Sequence, residues 1–224
     1  PMNAVLGMGE TLLWDEEDPE KRDKLELLIR SGNNQRQLLS DVIDMNQLDV
    51  GKVTLNEQHV DLRASLHSVI RLHQQLAEDK GLTVKATVDT ETPRQVTVDP
   101  ARLRQVLANL LSNAIKYTDE GHVALDVGVR EKRTDACSLF IRVSDTGCGI
   151  SDVDQKTIFD PFDRSENTYA QARPGAGLGL SITKSIAELM GGELSVESDE
   201  DKGSIFTFAF DVTRFDDEET AQQT

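Results

Sequence analysis

The first third of the chain repeats apolar positions every three or four residues, which is the spacing of amphipathic helices. The pattern covers residues 2–14 and 22–48, and the acidic turn between them contains Pro19, a residue that favours a helix start. The apolar positions are Val5, Leu6, Met8, Leu12, Leu13, Leu25, Leu28, Ile29, Leu38, Leu39, Val42, Ile43 and Met45. Two helices joined by a short turn predict an antiparallel hairpin.

One hairpin cannot cover both sides of its own apolar stripe. A second copy of the chain would complete a four-helix bundle, so we expect a homodimer. The alternative is that the stripe packs against the domain that follows it in the same chain.

From residue 61 onwards, helix and strand patterns are mixed. Helices are predicted after Asp61, from Asp99 to Tyr117 and over 179–190. Strands are predicted at 52–55, 82–88, 95–98, 122–130, 137–144, 193–198 and 204–212. This order predicts an α+β chain in which the hairpin precedes a two-layer α/β sandwich, with helices on one face of a mixed, largely antiparallel sheet. We divide it into a hairpin (1–48), a linker (49–60), an α/β domain (61–215) and an acidic tail (216–224).

The charge of the chain excludes some classes of partner. Its 224 residues include 24 basic and 40 acidic side chains, a formal net charge of −16. We therefore expect no nucleic-acid partner and no contact with anionic membranes.

No apolar run approaches the roughly 18 residues of a membrane span. Cys137 and Cys148 lack the spacing of a metal site, so we expect a cytoplasmic protein with reduced thiols. The acidic runs at 15–20, 199–201 and 216–219 lie in predicted turns or in the tail, which leaves a local phosphate site possible.

Three polar residues lie on one face of the predicted helix 99–117. Asn109, Asn113 and Lys116 are separated by four and three positions. Carboxamide oxygens suit Mg²⁺, and a lysine ammonium suits phosphate. The alternative is a solvated polar stripe.

Two glycine-rich segments follow. Asp145 ends a predicted strand ahead of Gly147 and Gly149, so its carboxylate could accept a hydrogen bond from the exocyclic amine of a flat ligand. A simple turn is the alternative. Residues 175–179 (GAGLG) precede a helix whose first N–H groups favour anions, but their spacing is neither that of the Walker loop nor that of the Rossmann fingerprint. The segment between them, 150–174, has Phe159 and Phe162 as its large apolar anchors, and we interpret it as a lid docked by these two aromatic rings.

Taken in order, these segments resemble the boxes of the sensor histidine kinases. Residues 107–118 (LANLLSNAIKYT) resemble the N box, 145–149 (DTGCG) the G1 box and 158–164 (IFDPFDR) the F box. Residues 175–181 (GAGLGLS) resemble the G2 box, and 203–208 (GSIFTF) the last glycine box.

The resemblance implies a Bergerat-type (GHKL) domain that binds ATP and Mg²⁺, joined to a dimerising hairpin. It implies that Asn113 ligates Mg²⁺, that Asp145 accepts from adenine N6 and that Arg164 reaches the γ-phosphate. Asn109, Lys116 and Tyr117 would lie along the phosphates or ribose. The implied ATP site is Asn109, Asn113, Lys116, Tyr117, Asp145, Gly147, Gly149, Ile150, Phe162, Arg164, Gly175, Gly177, Leu178 and Gly179.

The family's phosphoacceptor box ends in a proline, followed by a segment similar to residues 1–7 (PMNAVLG). The acceptor histidine is therefore expected just before residue 1, and His59, His67, His73 and His122 lack its context. The resemblance implies an ATP-dependent protein histidine kinase that relays phosphoryl groups to a response-regulator receiver. The alternative is a degenerate kinase, a scaffold that binds ATP and signals by conformation.

Related ATPases of the same fold place a glutamate one turn before the metal-binding asparagine, where it activates water. This chain has Asn109 there, an amide without basicity. The substitution favours phosphoryl transfer over hydrolysis.

Overall fold

A computed structural model describes residues 2–49, 51, 53–133, 136–163 and 177–215. Helix α1 (Met2–Asp15) and helix α2 (Pro19–Asp49) pack antiparallel. Near the turn the Arg22 guanidinium donates to the Leu13 carbonyl (3.2 Å), and further along Gly9 faces Ile29 and Gly32 faces Leu6. A Cβ on Gly32 would lie 2.7 Å from a Leu6 methyl carbon, so glycine allows close packing where α2 is most polar. Helix α2 therefore continues through residues 31–35 without a break.

The rest of the described chain forms a seven-stranded sheet with three helices and one short 3₁₀ turn. The elements are β1 (Gln58–Asp61), α3 (Leu62–Glu78), β2 (Thr83–Val88), β3 (Gln95–Val98), α4 (Pro100–Tyr117), β4 (His122–Lys132), β5 (Ala136–Asp145), the 3₁₀ turn (Asp154–Lys156), α5 (Gly179–Leu189), β6 (Glu193–Asp199) and β7 (Gly203–Phe215).

The sheet is mixed, as predicted. Its strand order is β1-β3-β7-β5-β4-β2, and β6 pairs with β7 beside that path. Only β2 and β4 pair in parallel within this described sheet, while the other pairs are antiparallel. Strand β7 has β5 along one edge, and β6 and then β3 along the other.

The core lies between one face of the sheet and helices α3, α4 and α5. Alternate residues of the central strands point to this face and are buried: Val123, Leu125, Val127, Leu139, Ile141, Val143, Phe206, Phe208 and Phe210. Helix α4 buries Leu103, Val106, Leu107, Leu110, Leu111, Ala114 and Ile115 against them. This burial fixes which way the opposite, polar side of α4 faces.

The start of α4 was predicted to the residue because its signal is local. The Asp99 carboxylate accepts hydrogen bonds from the N–H groups of Ala101 (2.9 Å) and Arg102 (3.1 Å), with Pro100 at the first helical position. Burial raises the pKa of Asp99, but backbone N–H donors, including that of Asn56, outweigh it and hold the pKa below its ordinary value. Asp61 caps α3 in the same way, through the Ala64 N–H (2.9 Å).

The first strand lies elsewhere than the sequence predicted. Residues 53–57 form no strand, and β1 occupies Gln58–Asp61. Pairing decides its position, because Gln58 lies opposite Val98 while the Asn56 N–H bonds the Asp99 carboxylate (2.9 Å) at the end of β3.

No helix in the described ranges is long and apolar enough to span a membrane. The predicted acidic tail, 216–224, lies outside the described residues.

Candidate functional site

A cavity of about 210 Å³ gathers residues from α2, α4, the end of β5, the start of α5 and β7. Nine of the sequence-predicted site residues line it: Asn109, Asn113, Lys116, Tyr117, Asp145, Gly149, Ile150, Gly177 and Gly179. Gly147, Phe162 and Leu178 are described but do not line it. Arg164 and Gly175 lie outside the described residues. A separate groove between α3 and α4 contains none of the predicted residues.

Helix α4 contributes the polar side of the cavity. The Asn109 side-chain N–H donates to the Thr183 hydroxyl of α5 over 2.7 Å, which fixes the orientation of the carboxamide. The Lys116 ammonium donates to the Tyr117 hydroxyl (2.9 Å) and lies 4.6 Å from the centre of that ring. Amide oxygens and an ammonium therefore face one space, an arrangement suited to an anion and a hard cation together.

The loop after β5 forms a second wall. The Asp145 carboxylate accepts a hydrogen bond from the Gly147 N–H (2.8 Å), and burial raises the pKa of Asp145 in spite of that bond and one from the Ser204 backbone. Gly149 has a φ of 67°, a conformation that glycine adopts without strain. The carboxylate of Asp145 is half-buried beside these glycines, and its role as an acceptor for a ligand stays a prediction.

This loop is held by the turn between β6 and β7. The Cys148 carbonyl accepts from the Asp201 N–H (2.9 Å), and the Ile150 N–H donates to the Ser198 hydroxyl (2.9 Å). On its other side, the Cys148 N–H donates to the Tyr117 carbonyl at the end of α4 (3.3 Å). The two walls are therefore joined directly by a backbone hydrogen bond.

The start of α5 forms the third wall. Gly177 has a φ of 73°, and its carbonyl accepts from the Phe162 N–H (3.0 Å). Gly179 lies against the Asn109 carboxamide, and Leu178 is buried in the core. The first turn of α5 thus presents backbone N–H groups, and the positive end of its dipole, towards the cavity.

The two phenylalanines of the segment before α5 behave differently. Phe159 packs against the core and meets Phe206 edge to face, with ring centres 6.4 Å apart. Phe162 is 65% exposed and has a φ of 65°. Of the two rings, Phe159 anchors the described part of the segment, so the expectation that both rings dock is wrong for Phe162.

Helix α2 also reaches the cavity, which the sequence did not predict. Asp41 lines it, and burial raises the pKa of this carboxyl, opposed by a hydrogen bond from Gln37 and assisted by the charge of Asp44. Asp44 in turn accepts from the Gln105 side chain of α4 (2.9 Å). The Asp44–Gln105 contact joins residues 61 positions apart, for which no local sequence signal exists.

Seven further lining residues lie within the boxes named above but were not among the implied site residues: Ala114, Cys148, Ile158, Asp163, Leu180, Ser204 and Phe206. Their membership of these boxes was the available signal. Across the described part of the chain, no cluster of three or more His, Cys, Asp and Glu side chains is placed to hold a metal.

The sequence model of a family described as histidine kinase-, DNA gyrase B-, and HSP90-like ATPase matches residues 98–214. Among curated proteins, the chain is 35% identical over 208 residues to the signal transduction histidine-protein kinase BarA of Escherichia coli K12. That match covers 93% of this chain and 23% of BarA. It is 40% identical over 200 residues to the virulence sensor protein BvgS of Bordetella pertussis, covering 88% of this chain and 16% of BvgS. The chain therefore spans about a quarter or less of these relatives.

Solved structures of similar proteins also match most of the chain. Full-length ShkA in complex with AMPPNP has a TM-score of 0.77 and 30% identity, covering 96% of this chain and 44% of ShkA. The catalytic domain of the histidine kinase ThkA has a TM-score of 0.56 and 26% identity, covering 70% of this chain and 98% of that domain. The histidine kinase AdeS of Acinetobacter baumannii, at 21% identity and a TM-score of 0.65, shares the fold over 93% of this chain and 94% of AdeS.

Proposed function

Because the chain belongs to the histidine kinase-, DNA gyrase B-, and HSP90-like ATPase family, we propose that it binds Mg·ATP in the cavity between α4, α5 and the end of β5. We further propose that it is the cytoplasmic catalytic part of a sensor histidine kinase. The single observation that carries this proposal is the meeting, around one cavity, of an asparagine-lysine helix face, an aspartate-glycine loop and a glycine-opened helix start.

Each wall has a chemical part in the proposal. Asp145 accepts from the adenine amine. Gly149 lines the same space, and its missing side chain lets the loop lie against the Asp199 backbone. Lys116 and the first N–H groups of α5 meet the phosphates, as does Asn109. Arg164 and Gly175, outside the described residues, stay in the proposed site through the family motifs.

The donor set also fits a magnesium ion. Asn113 offers a carboxamide oxygen in the same cavity as the proposed phosphates, and Mg²⁺ prefers oxygen ligands and commonly keeps substrate phosphates and waters. A bound Mg²⁺ would neutralise phosphate charge. Asn113 would hold it from the protein side.

Phosphoryl transfer is favoured over hydrolysis by Asn109. Its carboxamide is a neutral group that already donates to Thr183, so it cannot take a proton from water. The γ-phosphoryl would instead pass to a histidine on the dimerisation hairpin, expected upstream of residue 1, and then to a response-regulator receiver. Positioning and charge neutralisation would supply most of the catalysis.

The hairpin supports the proposed homodimer. Its exposed apolar side chains include Val5, Met8, Leu12, Leu28, Leu38, Leu39, Val42 and Ile43. Leu39, for example, is 55% exposed in the single chain. A second copy of the hairpin would cover these side chains in a four-helix bundle.

The test is incubation of the chain, extended upstream to include the acceptor histidine, with γ-labelled ATP. We expect a label that is labile in acid and stable in base, as phosphohistidine is, and its loss in the histidine→Ala variant. Tight ATP binding without any label would favour the alternative, a nucleotide-gated scaffold. An absence of ATP binding would reject both.

A further inference from the structure

The carboxyl end of α4 satisfies its backbone carbonyls without a glycine cap. The last four C=O groups of a helix have no partner inside the helix. Thr118 follows α4 in an extended conformation (φ −103°, ψ 124°), so no left-handed turn supplies N–H donors. Side chains and a distant loop take this role instead.

One lysine supplies most of the donors. The Lys80 ammonium donates to the carbonyls of Ile115 (2.8 Å), Lys116 (3.1 Å) and Thr118 (2.7 Å). An ammonium carries three N–H donors, so this geometry can use all of them. Its positive charge also lies at the negative end of the helix dipole. Lys80 thus acts as the cap of α4, from 35 to 38 positions earlier in the chain.

The remaining carbonyls have other partners. The Thr118 hydroxyl donates to the Ala114 carbonyl (2.7 Å), and the Cys148 N–H donates to the Tyr117 carbonyl (3.3 Å). The capped turn and the glycine loop are therefore parts of one connected hydrogen-bond network.

Lys80 itself is held by the turn between α3 and β2. Its N–H donates to the Ala77 carbonyl (3.0 Å), and Gly81 follows with a φ of 76°. Its ammonium lies 3.7 Å from the Asp119 carboxylate, which adds an attraction from the same side. Neither Lys80 nor Asp119 lines the cavity.

The turn that Lys80 caps carries part of the cavity wall. Lys116 and Tyr117 line the cavity with their side chains, while the carbonyl of Lys116 is bound by Lys80 and that of Tyr117 by the Cys148 N–H. If the last turn of α4 frayed, the Lys116 side chain and the Asp145 loop would lose their fixed separation.

We propose that Lys80 is a positioning residue for nucleotide binding, acting through the end of α4 on Lys116, Tyr117 and the glycine loop. This inference rests on the proposed function, because it assumes that the cavity takes a nucleotide. It assigns to Lys80 an effect on affinity in addition to its effect on stability.

The test compares Lys80→Met with Lys132→Met as the matched control. Lys132 is an exposed lysine on β4 that pairs with Glu91 and does not line the cavity. For each variant we would measure the dissociation constant of a fluorescent ATP analogue with Mg²⁺, thermal unfolding, and amide hydrogen exchange at Cys148 and Ile182. The Ile182 N–H of α5 bonds the carbonyl of Leu178, which caps that helix, and serves as the internal reference.

We expect Lys80→Met to weaken nucleotide binding by about tenfold at a temperature where it is fully folded, roughly the effect of one charge-assisted hydrogen bond. Exchange should accelerate at Cys148 and stay unchanged at Ile182. Lys80→Arg, which keeps the charge but not the tripod of donors, should recover part of the affinity.

A lower melting temperature with unchanged affinity and unchanged Cys148 exchange would overturn the proposal and leave Lys80 as a stabilising cap only. If Lys80→Met does not fold, Lys80→Gln, which keeps an amide donor, answers the same question at reduced temperature. Failure of the unmodified chain to bind the analogue would reject the nucleotide site itself, an outcome distinct from failure of the Lys80 variants.

Discussion

The side-chain amide of Asn109 donates to the Thr183 hydroxyl over 2.7 Å, and that hydroxyl donates in turn to the Gly179 carbonyl over 2.8 Å. Helix α4 is thereby tied to the first turn of α5. A Cβ on Gly179 would lie 2.7 Å from the Asn109 carboxamide oxygen, closer than such atoms approach. The orientation of Asn109 therefore depends on the absence of a side chain at position 179.

Gly179→Ala should weaken ATP binding by about tenfold, because the new methyl displaces the Asn109 carboxamide from its bond to Thr183. Thermal unfolding should change little, since alanine favours the helix by up to about 1 kcal/mol and presses only on the end of a side chain. Titration calorimetry and thermal unfolding would check both. Gly7→Ala is the control, because no described atom lies within 4 Å of a Cβ there. Unchanged affinity in Gly179→Ala would contradict the prediction.

Asn113→Ala should abolish Mg²⁺-dependent ATP binding while leaving the fold and the proposed dimer intact. The variant removes the carboxamide oxygen that we assign to the ion and leaves the apolar side of α4 untouched. ATP titrations with Mg²⁺ and with EDTA, together with light scattering, would measure this. Asn56→Ala, an exposed asparagine away from the cavity, is the control. Equal nucleotide affinity in Asn113→Ala and the unmodified chain would remove Asn113 from the site.

Nucleotide affinity should decrease as the pH is lowered. The decrease should occur at a higher pH than it would for an aspartate with an ordinary pKa. Burial raises the pKa of Asp145, so its carboxylate gains a proton, and loses its capacity to accept from the adenine amine, before an exposed Asp does. Affinity is then at its plateau above this pKa and declines as the pH drops through it. The nucleotide itself also titrates, and it does so equally with the Asp145→Asn variant. Subtracting the pH profile of that variant's affinity therefore leaves the contribution of Asp145. Parallel profiles for the two proteins would show that Asp145 does not titrate in the bound site.

Asp41→Asn should tighten nucleotide binding about two- to fourfold at low ionic strength. Its carboxylate shares the cavity with Lys116 and Asn113, where we place the phosphates, and like charges at this range repel weakly through water. The gain should shrink as salt is added. Asp23→Asn, an exposed change on the same helix, is the control. Weaker Mg·ATP binding in Asp41→Asn would indicate instead that Asp41 helps to hold the ion.

The sequence predicted those parts of the fold whose signals are local. The Asp99-Pro100 start of α4, the strand at 95–98 and the Asp61 cap each depend on a few adjacent residues. The position of β1 depends on its partner, since Gln58 lies opposite Val98, and a period of two along residues 52–55 could not reveal that.

The same distinction holds for the site. Asn109, Asn113 and Lys116 were predicted to share a helix face because helical spacing alone places them together, and all three line the cavity. Asp41 reaches the cavity because α2 packs against α4 and α5. The hydrogen bond from Gln105 to Asp44 contributes to this packing. Phe162 was expected inward as an aromatic residue, but its left-handed backbone conformation accompanies a side chain that is 65% exposed. Neither fact can be inferred from residue type.

Strand β7 pairs with β3, β5 and β6, and it supplies Ser204 and Phe206 to the cavity. Synthesis proceeds from the amino terminus, so the ribosome delivers β3, β5 and β6 before the strand that joins them. Until residues 203–215 emerge, three strands expose edges that only β7 covers, and the cavity lacks a wall. The nascent domain therefore passes through an interval in which strand edges are open to aggregation and the proposed nucleotide cavity is incomplete.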